Sequence, residues 1–138
     1  MFIDANLLLA DSQSLTVSGA STNYIDTLAA GDGITDGAWF IVLIKTAVAN
    51  VTSIAFDLRT DSDSAFGSEV VLYSTGAILL ASLTANTFVA KVRIPIGAKR
   101  YLRGYATIVG GGATTTGSWD MKIVEDASRD VNGIGKKV

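Results

Sequence analysis

From Phe88 to Ile96 the chain alternates. Phe88, Ala90, Val92, Ile94 and Ile96 fall on one side, and Val89, Lys91, Arg93 and Pro95 on the other. A period of two is the geometry of a strand, because successive side chains leave a pleated backbone on opposite faces. The same period recurs along the chain. Ile54, Phe56 and Leu58 oppose Ala55, Asp57 and Arg59, while Tyr101, Arg103, Tyr105 and Thr107 oppose Leu102, Gly104, Ala106 and Ile108. Trp119, Met121 and Ile123 mark the inward face of a last strand. Trp39 to Thr46 is apolar on both faces, as in a central strand covered on both sides.

Between these runs lie Gly, Asn, Asp, Ser and Thr, the residues of turns, with a single Pro. Leu15-Thr16-Val17 and Asn23-Tyr24-Ile25 are read as two short strands joined through Ser18-Gly19-Ala20-Ser21. Val70 to Ser74 reads as a strand, and Ile78 to Leu83 suits either a strand or a helical turn. Gly31-Asp32-Gly33 and Asp36-Gly37 are turn signals. Gly110-Gly111-Gly112 opens a loop to Gly117 that reads as a mobile hairpin tip; no Lys-Ser or Lys-Thr follows, so it is not a phosphate loop. Pro95 cannot donate to a ladder and so marks an edge or a strand end. About eight antiparallel strands and no long helix predict an all-β, jelly-roll-like β-sandwich. Residues 1–125 would form this single domain with a short N-terminal arm, and residues 126–138 a C-terminal tail or arm.

A chain of 138 residues buries enough surface to fold without disulfide or metal. Only 17% of its residues are charged, which is sparse for a free monomer and suggests that partners cover part of the surface. There is no histidine and no cysteine. That removes the commonest general base and every Ser-His or Cys-His arrangement, so an enzyme is not expected. The net charge of −2 gives no support to nucleic-acid binding. Met1 to Asn6 has no basic start, Leu7 to Ala10 is too short for a signal peptide and Ala38 to Ile44 too short for a membrane span, so a soluble, unprocessed chain is expected.

Asp57, Asp61 and Asp63 are the best candidates for calcium, but Asp57 lies inside a strand, and Asp and Ser are ordinary turn formers. No metal or other cofactor is therefore expected. Asp32, Asp36, Asp120, Glu125 and Asp126 would need two members held across a cleft to hydrolyse a glycoside, and nothing in their spacing pairs them. Lys91, Arg93, Lys99, Arg100 and Arg103 form the one basic cluster. Lys91 and Arg93 share a strand face, and Arg103 could lie on an adjacent strand. The cluster reads either as a solvated face protecting an edge or as a contact face for an acidic partner. Tyr101 and Tyr105 share the Arg103 face, and Tyr with Arg is common at interface hot spots. Trp39 and Trp119 read as core. Phe2-Ile3 at the start and the C-terminal arm each read either as disordered or as latched to a neighbour, and the apolar start favours a latch. The candidate interface is thus Phe2, Ile3, Lys91, Arg93, Arg100, Tyr101, Arg103 and Tyr105.

Four stretches carry a family resemblance. They are Ile3-Asp4-Ala5-Asn6-Leu7-Leu8-Leu9 with Asp11-Ser12-Gln13-Ser14-Leu15; Ser21-Thr22-Asn23-Tyr24-Ile25-Asp26; Phe56-Asp57-Leu58-Arg59-Thr60-Asp61-Ser62-Asp63 followed by Ala65-Phe66; and Ile94-Pro95-Ile96-Gly97 through Arg100-Tyr101-Leu102-Arg103. In order and spacing the chain resembles the small capsid cement, or decoration, proteins of short-tailed double-stranded DNA bacteriophages of the Bordetella podovirus type. The resemblance implies a jelly roll on the outer capsid surface of the virion, made in the host cytoplasm. Its partners would be the major capsid protein and other copies of itself, a dimer favoured and a trimer possible, with no nucleic acid or membrane. The tail after Glu125 is longer and richer in Gly and Lys than the family leads one to expect. The competing expectation is a carbohydrate- or receptor-binding β-sandwich module of a phage tail fibre or secreted protein.

Overall fold

Strands form wherever the period of two runs, and the computed structural model shows nine of them over the described residues, 8–26, 38–95 and 97–125. They are β1 (Leu8–Gln13), β2 (Gly19–Asp26), β3 (Ala38–Ala49), β4 (Ser53–Asp61), β5 (Val70–Ser74), β6 (Ile78–Leu79), β7 (Thr87–Arg93), β8 (Tyr101–Val109) and β9 (Thr116–Glu125). All pair antiparallel. One sheet has the order β1-β9-β3-β7 and the other β2-β8-β4-β5, with β6 prolonging the β5 side of β4. First pairs with last, second with next to last: β1 with β9, β2 with β8, β3 with β7, β4 with β5. This is a long antiparallel hairpin rolled into two sheets, the strand order of a jelly roll.

The two inner faces supply the core. Phe40, Val42 and Ile44 of β3 and Trp119, Met121 and Ile123 of β9 meet Ile54, Phe56 and Leu58 of β4 and Leu102 and Ala106 of β8, all fully buried. The Phe56 ring stands edge-on to Trp119 with centroids 5.3 Å apart, a favoured aromatic geometry that joins one sheet to the other. β3 is covered on both faces, as its composition requires, but Trp39 is not between the sheets. It is half-buried on the outer face, packed on Ile41 and Val124.

Three local expectations change. Leu15-Thr16-Val17 is the connection, and the first strand is Leu8–Gln13. Its register slips between Leu8 and Ala10, so Leu9 and Ala10 are both fully buried and the alternation is lost. Phe88 does not share a face with Ala90. Val42 pairs with Ala90 and Leu43 with Phe88, so Val89 is an extra residue, and this bulge turns Phe88 outward with Leu43, where it is 50% exposed. The Gly110 loop is a fastened turn. Thr115 N–H donates to the Gly112 carbonyl at 2.9 Å, Gly112 N–H to Thr115 Oγ1 at 2.8 Å, and Asn50 Nδ2 to the Thr114 carbonyl at 2.7 Å. Ile78 to Leu83 proves to be both of its alternatives, β6 followed by a 3₁₀ turn over Leu80–Ser82. The turn signals at residues 31–37, Ile96, the N-terminal arm and the tail 126–138 lie outside the described residues.

Gly117 opens β9 at a register shift opposite Ala47 and Val48. Its φ is +115°, and a Cβ there would lie 2.7 Å from the Val48 Cα. Strain and overlap with backbone act together, so Gly117→Ala is expected to cost about 1–3 kcal/mol. Gly112→Ala, in open space, is expected to stay within about 0.5 kcal/mol of wild type. Urea unfolding midpoints of the two variants test this.

Candidate protein-interaction surface

The alternation of β8 sends Tyr101, Arg103 and Tyr105 to the outer face of its sheet. Register then sets their neighbours. Tyr24 of β2 and Arg59 of β4 stand on either side of Arg103, Asp57 stands opposite Tyr105, and Asp61 opposite Tyr101. Two arginines side by side would repel. Here a carboxylate lies between them. Glu69 accepts from Arg59 Nη1 at 3.0 Å and from Arg103 Nη2 at 2.7 Å, and Arg103 Nε also reaches it at 3.0 Å. Asp57 takes the other side of Arg59, 2.8 Å from its Nη2. Burial works against the Arg59 charge, but the hydrogen bonds to Asp57 and Glu69 outweigh it and hold the pKa above its ordinary value. The patch therefore balances its own charges.

Rings fill the space between the guanidinium groups. Arg59 lies 3.8 Å over the Tyr105 centroid, and Arg103 lies 4.4 Å over that of Phe66. Tyr24, Phe66 and Tyr101 pack edge-on to one another at 5.7–6.4 Å. Arg100, at the rim, lies 5.1 Å over Tyr101 and is paired with Asp26 at 2.7 Å. Tyr24 is 51% exposed, so the cluster presents an open aromatic edge.

Phe66 and Glu69 reach this face because of the turn after β4. Asp61 Oδ1 accepts from Asp63 N–H at 3.1 Å, and its Oδ2 accepts from Ser68 N–H at 2.7 Å. Asp63 Oδ1 accepts from Ala65 N–H at 3.2 Å, and Phe66 N–H donates to the Asp63 carbonyl at 3.0 Å. Asp61 and Asp63 thus act as turn formers, and Asp57 is committed to Arg59. Among the described residues no group of three or more carboxylates is placed to hold a metal ion.

The basic cluster expected from sequence is divided. Arg103, Tyr101 and Tyr105 lie on the β2-β8-β4-β5 sheet, whereas Lys91 and Arg93 lie on β7 of the other sheet, on the opposite outer face. Arg103 is not adjacent to them, because β7 and β8 follow each other in sequence but cross between sheets. On that second face Arg93 stands beside Trp39, which stands beside Val124, and Lys91 stands beside Ile41, which stands beside Lys122. Asp120 accepts from Ser12 N–H at 2.7 Å and lies 3.9 Å from Lys45 Nζ. Phe2, Ile3, Asp32, Asp36 and Asp126 lie outside the described residues. Tyr24, Arg59, Phe66 and Glu69 were not singled out as interface residues from sequence. Their only signals were Tyr24, Arg59 and Phe66 in the family stretches and the outward position of Arg59 on β4.

A family model described as Bbp16 matches residues 9–123. No curated protein matches the chain.

Burial pushes the Asp61 carboxyl up, but the amides of Ser68, Asp63 and Ser62 and the charge of Lys99 pull it down further, leaving it below its ordinary value of 3.8. The unfolded chain then binds the proton first as pH falls. The stabilisation is complete above the ordinary value and is lost as pH falls through the lowered folded one. Asp61→Asn is expected to be less stable at neutral pH and to lose less stability than wild type on acidification below about pH 4. Thermal melts across that window check it.

Proposed function

The chain belongs to the Bbp16 family, and on that premise we propose that it is a structural protein of a bacteriophage virion that binds the outer capsid surface and bridges major capsid subunits. The resemblance of its four sequence stretches to capsid cement proteins supports this, as does the jelly-roll strand order. The observation that carries it is the outer face of β2, β8 and β4. Tyr and Arg side chains dominate binding energy at protein interfaces when they sit in a packed, positioned cluster. In this cluster the rings and guanidinium groups already hold one another, so little ordering is left for the moment of binding. Because Asp57 and Glu69 balance Arg59 and Arg103, the face suits a protein surface better than a polyanion.

The protein works by association alone, with no catalytic step and no cofactor. Each copy adds buried area at a junction between shell subunits and raises the free energy needed to separate them. Many modest contacts on one shell add through avidity. The free protein is a small homo-oligomer, a dimer before a trimer. Light scattering on a sizing column tests this, and a monomer at high concentration would count against it.

Shells of the producing phage that lack this protein provide the direct test. Saturable co-sedimentation at a fixed ratio to the capsid subunit, with a raised disruption temperature, is expected. Tyr24→Ala is expected to fold normally and to bind about tenfold more weakly, as loss of one hot-spot ring implies. Failure of the wild-type protein to bind any form of shell would overturn the proposal.

A further inference from the structure

The two outer faces of the sandwich differ in charge. On β2, β8 and β4 each of Arg59, Arg100 and Arg103 has a carboxylate partner. Along β3, β7 and β9 the outward side chains include Lys45, Lys91, Arg93 and Lys122, and the described carboxylate among them is Asp120. Asp120 is already engaged by Ser12 N–H and lies 3.9 Å from Lys45 Nζ. Among the described residues Lys91, Arg93 and Lys122 have no ion-pair partner. In a chain of net charge −2 this is a local positive excess on one side of the molecule.

Edge protection accounts for part of it. Lysine on an edge strand discourages pairing with another chain, and β7 is an edge. It does not account for Lys122. That residue lies on β9, an interior strand, is 7% exposed, and sits in one cross-strand row with Ile41 and Lys91. A largely buried lysine in the same row as Lys91, with no ion-pair partner among the described residues, is an arrangement that a nearby negative charge would relieve. Apolar contact area lies next to it. The bulge at Val89 turns Phe88 out beside Leu43, and Trp39 lies between Arg93 and Val124.

We propose that the exposed outer side of β7, beyond the covered outer residues Ile41 of β3 and Val124 of β9, docks onto an acidic protein surface of the phage shell, with Lys91 and Arg93 supplying the attracting charge and Phe88 the apolar contact. The inference rests on the shell-binding function and assigns one of the two faces needed to bridge subunits. A protein partner is favoured over nucleic acid because the cations alternate with Phe88, Leu43 and Trp39 and the whole chain is acidic.

The test compares wild type, Lys91→Glu/Arg93→Glu, Lys91→Gln/Arg93→Gln and Phe88→Ser for co-sedimentation with shells lacking the protein, at low and high salt. Circular dichroism and melting establish that each variant is folded. Charge reversal is expected to weaken binding about tenfold or more at low salt, neutralisation to weaken it less, and both to flatten the salt dependence of wild type. Phe88→Ser is expected to weaken binding with the salt dependence retained. A charge-reversed variant that binds with wild-type affinity and salt dependence would overturn the face while leaving shell binding intact. No wild-type binding would overturn both. Tighter binding of wild type to double-stranded DNA than to shells, abolished by charge reversal, would overturn the choice of a protein partner.

Discussion

Phe56 from one sheet and Trp119 from the other meet at the centre of the sandwich, and much else follows from that contact. Both are fully buried. With a side-chain period of two, burying Phe56 sends Asp57 and Arg59 outward, and burying Trp119 sends Asp120 outward. Pairing carries the constraint to the next strand, since Phe56 aligns with Ala106 and so Tyr105 aligns with Asp57. A slip of one residue at the centre would bury the arginines and expose the core. The outer faces are therefore by-products of how the interior packs, and their residues are held by backbone pairing.

The two faces use charge in different ways. On β8 the cations are internal struts. Glu69 holds Arg59 and Arg103 apart, and the rings of Tyr105 and Phe66 support them from below. The carboxylate that makes this work comes from a turn shaped by other carboxylates, those of Asp61 and Asp63. On β7 and β9 Lys91, Arg93 and Lys122 have no such answer among the described residues. A protein that bridges subunits, as proposed, would have use for both kinds of surface. A neutral aromatic face binds by fit and area, whereas a charged face adds attraction over distance and sensitivity to salt.

Much of this was legible in the alternation of β4 and β8, whose two sides were separated from sequence, and of β9, whose inward residues Trp119, Met121 and Ile123 were named. The double-sided burial of β3 was visible as well, because a strand apolar on both faces has no solvent side. What escaped was whatever broke the period. Leu9 and Ala10 are consecutive buried residues at a register slip, so β1 does not alternate. Val89 is one residue too many for its partner strand, and Phe88 changed sides because of it. The basic cluster was divided because neighbours in sequence, β7 and β8, are not neighbours in the fold. Phe66 and Glu69 escaped because carboxylate-to-amide bonds in an irregular turn place them, and such a turn has no period to read.

The rolled-hairpin pairing also governs how the chain reaches this state. The Ser12 amide meets the Asp120 carboxylate across 108 residues of sequence, and β1 waits for β9 throughout synthesis. Contacts this distant have a high loop-closure cost, so folding is slow compared with that of a helical domain of similar size. Until β9 emerges, β3 and β1 present unpaired edges, and the apolar β3 is the segment most exposed to association with other nascent chains. For a shell protein of the kind proposed, needed in many copies at once, the last strand to be made would then set the rate at which usable molecules appear.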